Sequence, residues 1–222
     1  MEGEAVLKAI AYYTCNTHLP EIDEMCREQL LKSGLPIACV TLNKWINFGD
    51  IEEKVEGVRS PEMMHFQVLK ALEMITADYI FLCESDVLYH PSHFDFTPPR
   101  DDTFYYNNNV YKQRWDDKFT FRTDDMKQVS GICASRELLL DFYTKRVKQI
   151  EEQGFNRHYE PGLKQTVGSK KVETWDSEYP NICIRHDANI TKTKYSPEEF
   201  RNAEYAKGWT EIDAKDIPGW EF

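Results

Sequence analysis

No apolar run in this 222-residue chain approaches the ~20 residues that a bilayer-crossing helix needs. The amino terminus also lacks a signal-peptide pattern: Met1-Glu2-Gly3-Glu4 is acidic and leads directly into Ala5-Val6-Leu7. Six cysteines are present (Cys15, Cys26, Cys39, Cys83, Cys133, Cys183), yet none forms a C-x-x-C pair. That argues against a zinc site or a redox motif. Most lie in apolar strand-like runs, where a thiol packs as a small hydrophobe, so reduced thiols in a cytoplasmic protein are expected. Positive charge is scarce, with 27 Lys and Arg against 38 Asp and Glu and a net charge of −11. This works against a nucleic-acid partner, whose affinity rests on phosphate contacts. Lys164, Lys170 and Lys171, or Lys192 and Lys194, could still make a local basic face, although such runs are usually solvated surface. Repeats, low-complexity stretches and a clear domain linker are all missing.

A hydrophobic content of 41% with 29% charged residues suits a globular protein with a sizeable core. Leu7–Cys15 reads as a first strand. Pro20 suits the first turn of a helix reaching Leu31, which Gly34 and Pro36 stop. Ile37–Leu42 reads as a second strand, followed by a loop holding Asn43, Asn47, Gly49 and Gly57. Ser60-Pro61-Glu62 is a helix start, and Met64, Val68, Ala71, Leu72 and Ile75 recur at helical spacing. The next strand ends at Glu84. Alternating strands and helices of this length predict a mostly parallel, twisted, doubly wound α/β sheet. Ligands bind such sheets beyond the carboxyl ends of the strands, the edge where Thr14, Asn16, Asn43, Glu84 and Asp86 would lie. After Pro91 the pattern becomes irregular, with short strand pieces at Phe104-Tyr105-Tyr106, Val110-Tyr111, Phe119-Thr120-Phe121 and Gln128-Val129. Ser135-Arg136-Glu137 opens a long helix that Gly154 closes, and Ser196-Pro197-Glu198-Glu199 caps a last short one. One domain over 1–222 is expected, with a first half at 1–95 and a smaller mixed half at 96–222.

The chemistry is concentrated after the strand Asp78-Tyr79-Ile80-Phe81-Leu82-Cys83. Glu84 and Asp86 follow at i and i+2, a spacing that points both carboxylates the same way at a strand exit, where they can share a cation. Oxygen ligands at such a place suit Mg²⁺ or Mn²⁺; a solvated acidic turn is the plainer alternative. A second segment, Ile182-Cys183-Ile184-Arg185-His186, reads as a strand ending in Arg-His before a polar loop with Lys192 and Lys194. His186 is either a hydrogen-bonded histidine at a strand end or a metal ligand. Many aromatic residues, among them Tyr105, Tyr106, Tyr111, Trp115, Trp175, Trp209 and Trp220, could face a sugar ring or a base, or fill the core.

Four features taken in order resemble the GT-A glycosyltransferases over most of the chain. They are Tyr13-Thr14-Cys15-Asn16 at a strand end, Glu84-Ser85-Asp86 in the place of the DxD motif, Ser130-Gly131 before Ser135-Arg136, and the late His186. The resemblance implies a transferase using Mn²⁺ or Mg²⁺ held by Glu84, Asp86 and His186, with a nucleotide-diphosphate sugar, UDP-sugar foremost, as donor. It implies Thr14, Asn16 and Asn43 near base or ribose, with Arg59, Gln67 and Ser85 on the donor as well. Arg185, Lys192 or Lys194 would face the leaving diphosphate. Inverting members place a carboxylate base beyond the Ser-Gly segment, often in a Glu-Asp pair, which this chain lacks. Glu160 is then the first choice for the base, with Asp176, Asp124 and Asp125 as rivals, or the enzyme is retaining. The acceptor would carry a hydroxyl on a glycan, small molecule, protein or modified nucleic acid such as phage-type DNA. A nucleotidyltransferase ranks behind, because Cys15-Asn16-Thr17-His18-Leu19-Pro20 holds no glycine for a phosphate loop. A catalytically silent nucleotide-sugar-binding protein of the same fold is the non-enzymatic alternative.

Overall fold

The computed structural model describes residues 6–156, 160–161, 171–189 and 196–221. Its elements are β1 (Lys8–Thr14), α1 (Pro20–Leu31), β2 (Ile37–Leu42), β3 (Ile51–Val55), α2 (Pro61–Met74), β4 (Tyr79–Glu84) and β5 (Val87–Leu88). They continue with β6 (Thr103–Asn107), β7 (Val110–Arg114), β8 (Thr120–Arg122), β9 (Ile132–Ser135), α3 (Arg136–Gln153), β10 (Lys171–Trp175), β11 (Asn181–Arg185), α4 (Pro197–Asn202) and β12 (Thr210–Ile212). Among the described residues, β10-β6-β9-β4-β1-β2-β3 form one sheet and β12-β8-β7-β11-β5 a second. In the first sheet only β9 runs against its neighbours β4 and β6. The mostly parallel α/β sheet with a smaller mixed region is therefore present as expected.

The pleat sorts the core of the first sheet onto two faces. Ala9, Ala11 and Tyr13 of β1, Ala38 and Val40 of β2, and Ile80 and Leu82 of β4 pack with Val68, Ala71 and Leu72 of α2 and Leu139 and Phe142 of α3. Ile10, Tyr12, Ile37, Cys39, Phe81 and Cys83 point to the other face, against Leu30 of α1 and Tyr89. Burial on both sides explains why these strands are nearly continuous apolar runs. All six cysteines are free, and five are buried.

Helix ends follow the capping chemistry. The Ser60 hydroxyl accepts from the Met63 N–H, and that of Ser135 from the Leu138 N–H. Gly154 closes α3 at φ 78°, its N–H donating to the Ile150 carbonyl. Five strands lie where none was expected: the two- and three-residue β5 and β12, and β3, β9 and β10. β3, Ile-Glu-Glu-Lys-Val, replaces part of the loop after β2; it is a half-exposed edge strand, so it carries charge instead of apolar alternation. Glu52 of β3 accepts from the N–H groups of Ile46 and Phe48 at 2.7 and 3.2 Å, which fixes the preceding loop. β9 is four residues long and runs straight into the α3 cap, so its apolar residues merge with the helix signal. β10 is the opposite edge and is mostly exposed. The piece at Gln128-Val129 is instead the start of a 3-10 turn over Val129–Gly131.

Candidate active site

β1 and β4 lie side by side at the centre of the sheet, with Tyr13 opposite Glu84. From β1 the chain builds outward through β2 to β3, then crosses back to β4 on the other side of β1. The loops leaving β1 and β4 therefore diverge and open a crevice at the carboxyl ends of the strands. A cavity of about 550 Å³ lies there. The first half of the chain lines it with Thr14, Cys15, His18, Arg59 and Gln67, and the second half with Lys112, Gln128, Ser130, Phe155, Glu160 and Arg185. Glu84, Ser85 and Asp86 lie between them on the same wall.

Glu84 is the last residue of β4, and its surroundings are ordered. The Tyr13 hydroxyl donates to Glu84 Oε1 at 3.0 Å. The Glu84 N–H donates to Tyr89 Oη at 2.9 Å, and that hydroxyl donates to the Ser130 carbonyl at 2.9 Å. Burial, then the charge of Asp86, push the Glu84 carboxyl up to about 8. Asp86 sits one turn further on. Burial raises its pKa as well, against the pull of Arg185 and His186. Asn189 Nδ2 donates to Asp86 Oδ2 at 2.6 Å, while Asn189 Oδ1 accepts from the His186 N–H at 2.7 Å. The Ile184 N–H donates to the Asp86 carbonyl at 2.8 Å, so β11 delivers His186 beside Asp86.

The donor atoms of His18, Asp86 and His186 all lie within 4.8 Å of one another. His18 Nε2 is 2.7 Å from Ser85 Oγ, and the two imidazoles meet edge to face at 4.6 Å. Burial lowers both to about 4, so the rings are neutral at neutral pH. His186 Nε2 has no hydrogen-bond partner and stands 3.8 Å from Asp86 Oδ2. Two neutral imidazoles and one carboxylate fit a divalent ion, and the nitrogen donors favour Mn²⁺ or a later transition metal over Mg²⁺. Since His186 Nδ1 accepts from the Ala188 N–H at 3.3 Å, its proton rests on Nε2, and ligation through Nε2 would require the other neutral tautomer, with the proton on Nδ1 and that contact given up. Glu84 is not a member of this trio. The turn at Ser85 breaks the strand alternation, and the two carboxylates take different neighbours.

The other expected site residues separate into two groups. Thr14, Arg59, Gln67, Ser85, Arg185 and Glu160 face the cavity. Gln67 also ties strand ends together, its Nε2 donating to the carbonyls of Thr14 and Val40 at 2.8 and 3.1 Å. Arg59 hydrogen-bonds the Ala188 carbonyl and so links the α2 entry to the loop after His186. Asn16 and Asn43 lie outside the cavity lining, at φ 55° and 61°, backbone positions that Asn tolerates. Their amides are committed to Leu42 and Lys44 carbonyls and, in both directions, to the Gly57 backbone. Asp176 is exposed, and neither it, Asp124 nor Asp125 lines the cavity. Lys192 and Lys194 fall outside the described residues.

Among the cavity residues that carried no site expectation are His18 and Lys112. His18 belongs to a loop whose only sequence signal was its missing glycine. Lys112 is buried, 5.7 Å from the Trp209 ring, and burial lowers its pKa. Its position in the β-rich second half gave no hint of a site.

The fold is a mostly parallel α/β sheet accompanied by a second, mixed sheet. No protein-family model and no curated protein sequence matches the chain. Among solved structures, a glycosyltransferase involved in the glycosylation of the major capsid of PBCV-1 is similar at a TM-score of 0.45 and 12% identity, over 78% of this chain and 82% of that one. A nucleotidyl transferase from Methanothermobacter thermautotroptrophicus gives 0.41 and 12% over 76% and 87%. The inositol-1-phosphate CTP transferase from T. maritima gives 0.42 and 13% over 94% and 90%. At these identities none of them lends its activity to this chain.

Proposed function

We propose that this protein is a metal-dependent glycosyltransferase moving a sugar from a nucleotide-diphosphate donor, UDP-sugar foremost, to a hydroxyl acceptor. The observation that carries this reading is the cavity at the β1/β4 switch point. There His18 and Asp86 of the candidate cation trio, the guanidinium groups of Arg59 and Arg185, and the Glu160 carboxylate face one space, with His186 beside Asp86. A bound divalent ion supplies positive charge against the leaving diphosphate. Arg59 and Arg185 meet the same charge with preorganised N–H donors. Thr14 and Cys15, at the end of β1, offer the wall for the nucleoside.

Glu160 is the base in this reading. Burial holds its carboxyl up at about 7, with Arg146 pulling the other way. A base near neutral pKa is suited to taking a proton at physiological pH. It accepts the acceptor hydroxyl's proton as that oxygen bonds to the anomeric carbon. The bond from that carbon to the diphosphate breaks on the opposite face, so the product has inverted configuration. The donor half is then residues 1–95, and residues 96–222 hold the acceptor.

The test is a thermal-shift screen of nucleoside diphosphates and nucleotide sugars, each with and without Mn²⁺. One nucleotide at ~100 times its dissociation constant should add ~2.7 kcal/mol of stability in the presence of Mn²⁺. Asp86→Ala should lose that increment. No shift with any nucleotide removes the donor site and the proposal with it.

A further inference from the structure

Behind Glu160 stands a group of polar side chains outside the cavity lining. His65, on the second turn of α2, is fully buried, and neither ring nitrogen has a hydrogen-bond partner. Its Nε2 is 3.9 Å from Glu160 Oε1, while Glu160 Oε2 is itself buried and unpartnered. The rings of Tyr143 and Phe155 hold the imidazole at centroid distances of 5.7 and 5.8 Å. Tyr106 Oη donates to the Pro161 carbonyl at 2.5 Å and so anchors the backbone next to Glu160.

A buried imidazole that only fills space satisfies its polar atoms locally. His93 does this at one nitrogen: it is equally buried, and its Nδ1 lies 2.9 and 3.0 Å from the amides of Asn107 and Asn181, while its Nε2 has no partner. His65 has no such pairing, and the polar group in its reach is the Glu160 carboxylate. We infer that His65 is a positioning residue for Glu160, its ring N–H holding Oε1 and so fixing the orientation in which the carboxylate meets the acceptor hydroxyl. A side-chain movement of about 1 Å in the ligand-free protein closes the present 3.9 Å gap to hydrogen-bond length. The inference rests on Glu160 as the base in the reading above.

The pair is a neutral donor and a carboxylate, because burial and the charge of Arg146 push the His65 ring down to about 3. The ionisable groups electrostatically linked to Glu160 are Arg146 and Tyr143 of α3, Tyr106 of β6 and Glu84 of β4. Of these only Arg146 favours the charged carboxylate. An N–H from His65 adds a second influence of that sign.

The decisive experiment is a side-chain carboxyl ¹³C NMR titration of Glu160, assigned with Glu160→Gln, in the full chain without substrate. In the wild type Glu160 should titrate near neutrality. His65→Phe, or His65→Leu should the phenyl not fit, should move the midpoint up by about one pH unit, a tenfold loss of ionisation. His65→Gln, which keeps an N–H donor, should bring it back. A midpoint that stays or falls in a folded His65→Phe or His65→Leu protein overturns the inference. Turnover of donor by Glu160→Gln at the wild-type rate would instead overturn Glu160 as base, and the titration would still show whether His65 sets its ionisation.

Discussion

Replacing Glu84 by Gln should make the protein more stable at neutral pH, and the gain should vanish in acid. The folded pKa of Glu84 is raised from 4.5 to about 8. Below 4.5 the group is protonated whether the chain is folded or not, and it contributes nothing. As pH rises above 4.5 the unfolded chain loses this proton while the folded one keeps it, so folding is progressively penalised up to about 8. At ~1.4 kcal/mol per pH unit the penalty at pH 7.5 has a ceiling of ~4 kcal/mol. Glu84 keeps some solvent contact, which screening discounts to ~2 kcal/mol. Gln is nearly isosteric, has no charge to desolvate, and its carbonyl still accepts from the Tyr13 hydroxyl. In a chain of this size ~2 kcal/mol corresponds to a melting-temperature rise of ~4–8 °C. The assay is thermal unfolding of wild type and Glu84→Gln in EDTA at pH 7.5 and pH 4. A variant no more stable than wild type at pH 7.5, or one equally stabilised at both pH values, would refute the reasoning. Added Mn²⁺ should narrow the gap if Glu84 contributes to the ion's field.

Two further outcomes separate ligand-binding residues from scaffold. His18→Ala should weaken Mn²⁺ binding at least tenfold by isothermal titration while leaving the melting temperature in EDTA nearly unchanged, because it removes one of three donors. Asn43→Gly keeps the left-handed backbone at φ 61° but loses the two side-chain bonds to Gly57. It should cost ~1–2 kcal/mol in denaturant unfolding and leave nucleotide affinity unchanged, whereas a base- or ribose-contacting Asn43 would lose affinity.

What the sequence determined by itself was the framework and the place of the chemistry. β1, α1, β2, α2 and β4 are legible because local signals agree: apolar runs buried on both faces, Pro at first helical turns, Ser caps and a helical stripe in α2. Those same signals put Glu84 and Asp86 at a strand exit, and parallel-sheet topology makes strand exits the ligand edge. Edge strands β3 and β10 escaped because they are half-solvated and carry charge in place of apolar alternation. The composition of the site was a different matter. Asp86, His18 and His186 come from three distant stretches, and no spacing along the chain links 18 to 86 or 186; they meet because β1 pairs with β4 in one sheet while β5, just after β4, pairs with β11 in the other. Asn16 and Asn43 show the converse, since Asn at a strand end suits a ligand contact and a left-handed turn equally well. Glu160 was the first choice for the base in the sequence, but only as an acid on a turn in the place the resemblance implies. Burial beside an unpartnered histidine gives it a distinct chemistry, because desolvation depends on what packs around a group and not on its neighbours in the chain.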